Sequence, residues 1–204
     1  MIRKIAFILL LIVCQGYAQE DPIKIVDEED RNRLSLYAVN QSETDYDILL
    51  TISGTGFKQR AGKPRWYYVP SASKVLVNTL IVERGKRANY TYEIQLNDSL
   101  SRRSLHKPAE AIKIKPRKQI TVYLTENCVT CDTIMSSLSQ GKYLFNSHTL
   151  SEKPEIKSQI AMALANTRTP LDSVQNPVIS LAGKLYTEIE DYDSLLEYLL
   201  KDEE

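Results

Sequence analysis

Two cysteines separated by two residues are the strongest chemical signal in this chain. They are Cys128 and Cys131, within the stretch ENCVTCDT. Such a pair can exchange a disulfide with other thiols, supply half of a zinc site, or form a local structural bridge. A zinc site normally needs four ligands, whereas the sequence has no second pair of this spacing and its two histidines, His106 and His148, are isolated.

A structural bridge stays open as an alternative to redox chemistry. A disulfide that closes so short a loop removes little entropy from the unfolded chain, so stability alone is a poor reason for it. Exchange requires a thiolate, and the N-terminus of a helix lowers the pKa of a nearby thiol. A helix is predicted to begin here, so we expect Cys128 to attack and Cys131, one turn later, to resolve the mixed disulfide.

The first 18 residues have the layout of a secretory signal peptide. Arg3 and Lys4 precede an apolar run over residues 5–13, and Gly-Tyr-Ala at positions 16–18 fits a cleavage site. The apolar run is shorter than the ~20 residues that span a bilayer. We therefore expect an exported protein, periplasmic or secreted.

Cys14 raises the alternative of a lipid anchor. It follows Leu-Ile-Val as in a lipobox, but lipoprotein processing requires a small residue where Val13 stands. We therefore favour soluble export over anchoring through Cys14. Cleavage after Ala18 would leave only Cys128 and Cys131, in an oxidising compartment where a disulfide persists.

A net charge of zero conceals two halves of opposite sign. Residues 20–118 carry 18 Lys and Arg against 13 Asp and Glu, while residues 119–204 carry 6 against 13. The break predicts two units, residues 22–115 and residues 119–204. The basic run over residues 102–118 could attract an acidic partner, but we interpret it as a solvated loop and edge strand. No aromatic residues alternate with base-reading side chains, which argues against nucleic acid as a partner.

The first unit has the two-residue period of β-strands. Segments such as RLSLYAV, YDILLTISG and KVLVNTLIVE alternate apolar and polar residues, and turn residues separate them. One strand is predicted to place Tyr90, Tyr92, Ile94 and Leu96 on one face, and AIKIK is predicted to close the set with its isoleucines inward. These strands, without a convincing helix, predict a small β-sandwich.

The second unit alternates between strands and helices. QITVYLTE is predicted to be a strand, CDTIMSSLSQG a helix, and YLFNSHTL a second strand. A helix, two strands joined at Ala-Gly-Lys, and an amphipathic C-terminal helix follow. The sequence thus predicts a two-domain α+β chain, with an all-β sandwich followed by an α/β unit of order β-α-β-α-β-β-α.

A Cys-x-x-Cys at the junction of a first strand and a first helix, in that order of elements, resembles the thioredoxin superfamily in its minimal, glutaredoxin-like form. The resemblance covers the last two-fifths of the chain, through Cys128-Val129-Thr130-Cys131 and through Asn176-Pro177 before VISL. It implies a thioredoxin-like fold for the second unit. It also implies that Pro177 is cis beside the cysteines and that the backbone of Asn176 binds the substrate.

The sequence departs from the glutathione-binding members of that family. Thr187-Glu188 stands where a Gly-Gly pair would receive the glutathione carboxylate, and further acids follow. We therefore expect an exported thiol–disulfide oxidoreductase that acts on protein cysteines with a redox partner, without glutathione, a metal or another cofactor. The alternative is an envelope protein without enzymatic activity, which binds its partners through the β-sandwich and uses the second unit for interaction.

Overall fold

The computed structural model describes residues 21–59, 64–165, 167 and 169–201. The predicted signal peptide, with Cys14 and the cleavage site at Ala18, lies outside these residues. The strands are β1 (Ile23–Asp30), β2 (Arg33–Asn40), β3 (Tyr46–Thr55), β4 (Phe57–Lys58), β5 (Trp66–Val69), β6 (Ser73–Val82), β7 (Asn89–Asn97), β8 (Leu105–His106), β9 (Ala109–Ala111), β10 (Ile120–Leu124), β11 (Phe145–Thr149), β12 (Val178–Leu181) and β13 (Lys184–Tyr186). The α-helices are α1 (Cys131–Gln140), α2 (Pro154–Leu164) and α3 (Tyr192–Leu200), and Leu171–Ser173 form a 3-10 turn.

Two sheets share one apolar core in the first half of the chain. One has the order β1-β2-β6-β4 with β9 also paired to β6, and the other has the order β7-β3-β5-β8. Because side chains alternate across a strand, every second residue of β2 and of β3 is buried in the same cluster. These residues are Leu34, Leu36 and Ala38 on β2, and Ile48, Leu50 and Ile52 on β3.

A third sheet, of order β11-β10-β12-β13, forms the second half. Strand β10 runs parallel to β11 and antiparallel to β12, and β12 and β13 form a hairpin. The hairpin turns at Ala182 and Gly183, which have φ angles of 51° and 91°. A glycine adopts this left-handed conformation without the strain that a side chain would cause.

The helices cover both faces of this third sheet. Ile179 packs in a cluster with Ile134 of α1 and Leu195 of α3. The adjacent Val178 packs in a different cluster, with Ile160 of α2. Since neighbouring strand residues point to opposite faces, α1 and α3 lie on one side of the sheet and α2 lies on the other. No helix in the described ranges is both long and apolar enough to cross a membrane.

The predicted fold class is wrong. The described residues are mostly β, with 43% in strands and 19% in helices, and they form three sheets. The structure does not have the predicted architecture of a β-sandwich followed by a thioredoxin-like α/β fold. One reason is that the structure contains strands that the sequence pattern does not predict. Strand β1 ends in four acidic residues, which lack any apolar alternation, yet it pairs with β2 along its whole length.

The segment AIKIK is not the strand that the sequence predicts. Strand β9 ends at Ala111, and Ile114 instead forms an isolated bridge with Tyr143 and packs in the core of the third sheet. Lys113 donates from Nζ to the carbonyls of Leu138 and Ser139 at the end of α1, at 2.9 and 2.8 Å. A cation is favourable there because the carbonyl end of a helix carries partial negative charge. This segment therefore leaves the first two sheets and binds the second half.

Candidate functional site

Cys128 and Cys131 form a disulfide, with 1.99 Å between their sulfur atoms. Strand β10 ends at Leu124, a turn carries Cys128, and α1 begins at Cys131. Cys131 is buried, with 8% of its surface exposed, whereas Cys128 is partly exposed. The two cysteines therefore differ in exposure, and we expect an incoming thiol to reach Cys128 more easily.

The position of Cys128 relative to the helix differs from the expectation. Thr130 is the N-cap residue of α1, so Cys128 lies in the turn before the helix and not in its first turn. Its sulfur is nonetheless bonded to that of Cys131, the first helical residue. The disulfide thus lies at the N-terminus of α1, where the unpaired backbone N–H groups favour negative charge.

A loop before β12 holds the turn that contains the cysteines. The backbone N–H of Val129 donates to the carbonyl of Gln175 at 2.8 Å, and Thr130 donates from Oγ1 to Oδ1 of Asn176 at 3.2 Å. The structure therefore brings Asn176 to the cysteine pair, although these residues are more than forty positions apart. Its predicted role in substrate binding stays a prediction.

The predicted cis bond at Pro177 is wrong. No peptide bond between the described residues is cis. Pro177 is buried and directly precedes β12. A trans proline fits there because the first residue of a strand can lack an N–H group without breaking the ladder. The resemblance implied that Pro177 helps to bind substrate because its peptide bond is cis. The trans bond removes that reason.

The side chain of Val129 is the most exposed apolar group near the disulfide, with 77% of its surface accessible. It lies between the two cysteines in sequence, while its backbone is fixed by the bond to Gln175. A single exposed apolar residue is common on protein surfaces. Because Val129 directly follows Cys128, its exposed side chain offers an apolar contact to a substrate that reaches Cys128.

A lysine that the sequence analysis missed lies close to the site. Lys157 of α2 pairs with Glu126, with 2.8 Å between Nζ and Oε1. The hydrogen bond from Lys157 lowers the pKa of the Glu126 carboxyl, and the same bond raises the pKa of Lys157. No local pattern could have revealed this pair, because Lys157 lies 31 positions away and reaches Glu126 only through the packing of α2. The ammonium group of Lys157 therefore offsets the negative charge of Glu126, which lies two residues before Cys128.

A small pocket of about 70 Å³ adjoins the turn that carries Cys128. Its buried apolar lining is Leu150, Leu171 and Val174. Its polar lining is Thr125, Glu126, Asn127, Lys157 and Asp172. The pocket thus combines an apolar floor with a charged rim, one residue before the accessible cysteine.

His106, His148 and Asp191 make their contacts elsewhere and are not part of this site. His106 stacks on Tyr68 in the first half, with 4.5 Å between ring centroids, and His148 contacts Lys153. Within the described ranges, no three side chains of His, Cys, Asp or Glu are placed to hold a metal. Asp191 caps α3 by accepting the N–H of Ser194, and this bond lowers the pKa of Asp191.

No protein-family model, curated protein or solved structure matches this chain.

Proposed function

We propose that this protein is an exported thiol–disulfide oxidoreductase that acts on protein cysteines through Cys128 and Cys131. The observation that carries the proposal is the unequal burial of a disulfide located at the N-terminus of a helix. An accessible sulfur can form a bond with another molecule, and a shielded sulfur can then displace that molecule. A bridge that only stabilised the turn would need neither property.

The reaction of the oxidised protein has two balanced steps. A substrate thiolate attacks Sγ of Cys128, the bond between Cys128 and Cys131 breaks, and Cys131 leaves as a thiolate. A second substrate thiolate then attacks the substrate sulfur of the mixed disulfide and displaces Cys128 as a thiolate. The substrate loses two electrons and gains a disulfide, and the protein becomes a dithiol. The reverse sequence reduces a substrate, with Cys128 attacking and Cys131 resolving.

The helix supports the thiolate that both directions require. Negative charge on a sulfur at the start of α1 is stabilised by the unpaired N–H groups of that helix end. Thr130 leaves those groups available, since its hydroxyl donates to Asn176 and makes no capping bond to the helix. The loop at Gln175 and Asn176 keeps the turn in place while the sulfurs separate.

The proposed export rests on the signal-peptide layout of residues 1–18. The resemblance to the thioredoxin superfamily is one of motif, carried by Cys-Val-Thr-Cys and by Asn176-Pro177. We propose protein thiols and disulfides as substrates, with a separate redox partner. The acids near Thr187-Glu188 disfavour glutathione, which is anionic.

A second candidate, a binding module without redox chemistry, is favoured by one feature of the first half. Strand β7 is the last strand of its sheet, and Tyr92 and Leu96 on it are 45% and 41% exposed. Exposed apolar residues on an edge strand can pair with another chain. In this case the disulfide would be a local bridge and would exchange with no substrate.

Trapping experiments distinguish the two candidates. The mature protein with Cys131→Ser should accumulate mixed disulfides with other exported proteins, because nothing displaces the partner from Cys128. The matched variant Cys128→Ser should accumulate far fewer, and the wild type should reduce insulin. Equal trapping by both variants would overturn the assigned roles. Absence of both trapping and insulin reduction would leave the binding module.

A further inference from the structure

The pocket beside Cys128 is placed to receive a residue of the substrate. Thr125, Glu126 and Asn127 line it, and they are the three residues before Cys128. Val174, also in its lining, precedes Gln175, whose carbonyl binds the N–H of Val129. Consecutive Cα atoms lie about 3.8 Å apart, so the rim begins one residue from the accessible cysteine. A polypeptide joined to Cys128 through its own cysteine would pass this rim.

The lining of the pocket suits a side chain with an apolar stem and a polar end. Leu150, Leu171 and Val174 are 2%, 7% and 3% exposed and form the floor. The charged rim above this floor is formed by Glu126, Lys157 and Asp172. The volume of about 70 Å³ admits a few methylene groups.

The charges around the rim favour a cation. Two carboxylates, Glu126 and Asp172, face one ammonium group, Lys157. Lys157 pairs with Glu126 and also interacts electrostatically with Asp172, so two carboxylates share one ammonium group and the rim has one negative charge in excess. The whole second half has the same sign, with 6 Lys and Arg against 13 Asp and Glu over residues 119–204. Lysine and arginine combine an apolar stem with a cationic end that donates several hydrogen bonds.

We infer that this pocket is a substrate subsite that binds a lysine or arginine next to the reactive cysteine of a protein substrate. The stem lies over the apolar floor at Leu171 and Val174, and the cationic group meets Asp172. The inference rests on the proposed thiol–disulfide exchange and adds the class of substrate to it. Substrates with an acidic residue at that place react more slowly.

Peptide disulfides test this preference directly. Three probes with the core Xaa-Cys-Xaa, where Xaa is Lys, Ala or Glu, are each linked to the same fluorescent thiol. The reduced full-length mature protein should react with the Lys peptide about threefold faster than with the Ala peptide. The Glu peptide should be slower by a similar factor, since one unit charge at roughly 6 Å in water changes a rate by about that much. Salt should narrow these differences.

Two variants assign the preference to the pocket. Asp172→Asn should bring the Lys and Ala rates together, while Asp193→Asn, which removes the same charge from the first turn of α3 outside the pocket lining, should leave the ratio unchanged. The rate with hydroxyethyl disulfide, which is too small to reach the pocket, is measured for each protein, and every peptide rate is divided by it.

Each other outcome has a defined meaning. Equal rates for the three peptides, with normal reaction of hydroxyethyl disulfide, would overturn the subsite and leave the proposed function intact. If Asp172→Asn still reacts faster with the Lys peptide than with the Ala peptide, the preference arises elsewhere, and the subsite is overturned. Failure of every disulfide to react would reject the proposed function, and the subsite with it.

Discussion

Tyr143 donates its phenolic hydrogen to Oε1 of Glu43 at 2.7 Å, and this bond joins residues one hundred positions apart. Tyr143 is 1% exposed and lies in the core of the third sheet, where Ala72 from the first half also packs. Arg117 pairs with the same carboxylate, with 3.2 Å between Nε and Oε2. Burial, followed by the bond to Glu43, raises the pKa of Tyr143. The two halves of the chain are therefore joined by a partly buried polar contact.

Removal of the Tyr143 hydroxyl should lower the stability of the protein without changing its fold. Tyr143→Phe keeps the ring in the core but deletes a partly buried hydrogen bond to a charged group. We expect the free energy of unfolding to fall by about 1–2 kcal/mol. Urea denaturation measures this change, and Tyr92→Phe, at an exposed position, should cost less than about 0.5 kcal/mol. Equal stability of the two variants would mean that the bond to Glu43 contributes nothing.

Several elements follow from local pattern, and they are the ones whose pattern matches their burial. Strand β2 alternates buried and partly exposed residues, as RLSLYAV predicts, and α1 spans the segment that the sequence assigns to a helix. The bond between Cys128 and Cys131 also follows from their spacing. In each of these cases, the residues that predict the feature lie within a few positions of one another.

Other features depend on contacts between distant residues, and the sequence alone could not provide them. The acidic half of β1 is a strand only because β2 pairs with it, since exposed edge strands tolerate charged side chains. Ile114 looks like a strand residue of the first half, but its bridge to Tyr143 places it in the second. At the site, Lys157 and the pocket arise from the packing of α2 and the 3-10 turn. The fold class was missed for the same reason.

Tyr68 makes stability depend on alkaline pH. Its hydroxyl donates to Oδ2 of Asp45 at 2.6 Å, and this bond, ahead of burial, raises the pKa of Tyr68 from 10.0 to about 12. A raised pKa favours the neutral phenol in the folded state. The resulting stability is fully present below pH 10.0 and is lost as pH rises through about 12.

Tyr68→Phe tests this dependence. The variant should be less stable than the wild type at neutral pH, and its free energy of unfolding should fall less steeply between pH 10.0 and about 12. The same bond is the main cause of the lowered pKa of Asp45, whose contribution is lost as pH falls through that lowered value. The variant should therefore also show a weaker loss of stability in acid. Parallel curves for the two proteins from acid to alkali would contradict the assignment.

Lys157 should control the reactivity of Cys128 in the reduced protein. Lys157→Met leaves the Glu126 carboxylate unpaired two residues before Cys128, so negative charge near the sulfur disfavours the thiolate. Alkylation of Cys128 by iodoacetamide at pH 7 should slow by about two- to threefold. Glu126→Gln should accelerate it by a similar factor.

The double variant serves as the matched control for this pair. Glu126→Gln combined with Lys157→Met removes both charges and should return the alkylation rate close to that of the wild type. The alkylation rate of each protein is measured as a function of pH. An electrostatic effect shifts the whole curve along the pH axis, whereas a steric effect lowers the maximum rate at high pH. An unchanged profile in Lys157→Met would mean that solvent screens the pair from Cys128.

Asn176 and Pro177 should separate positioning from contact with the substrate. Pro177 is buried and trans, so its ring serves the start of β12, whereas Asn176 accepts the hydroxyl of Thr130 and steadies the turn that carries the cysteines. Pro177→Ala should cost about 0.5–1 kcal/mol of stability, because the unfolded chain gains freedom, and should change the rate of peptide disulfide exchange less than twofold. Asn176→Ala should slow exchange by about threefold with an unchanged pH profile of alkylation, since the loss of one neutral hydrogen bond loosens the turn without altering charge. Stopped-flow measurement of exchange, alongside urea denaturation, checks both. If Pro177→Ala instead abolished exchange while stability stayed normal, the proline itself would contact the substrate, and the structural role assigned to it here would be wrong.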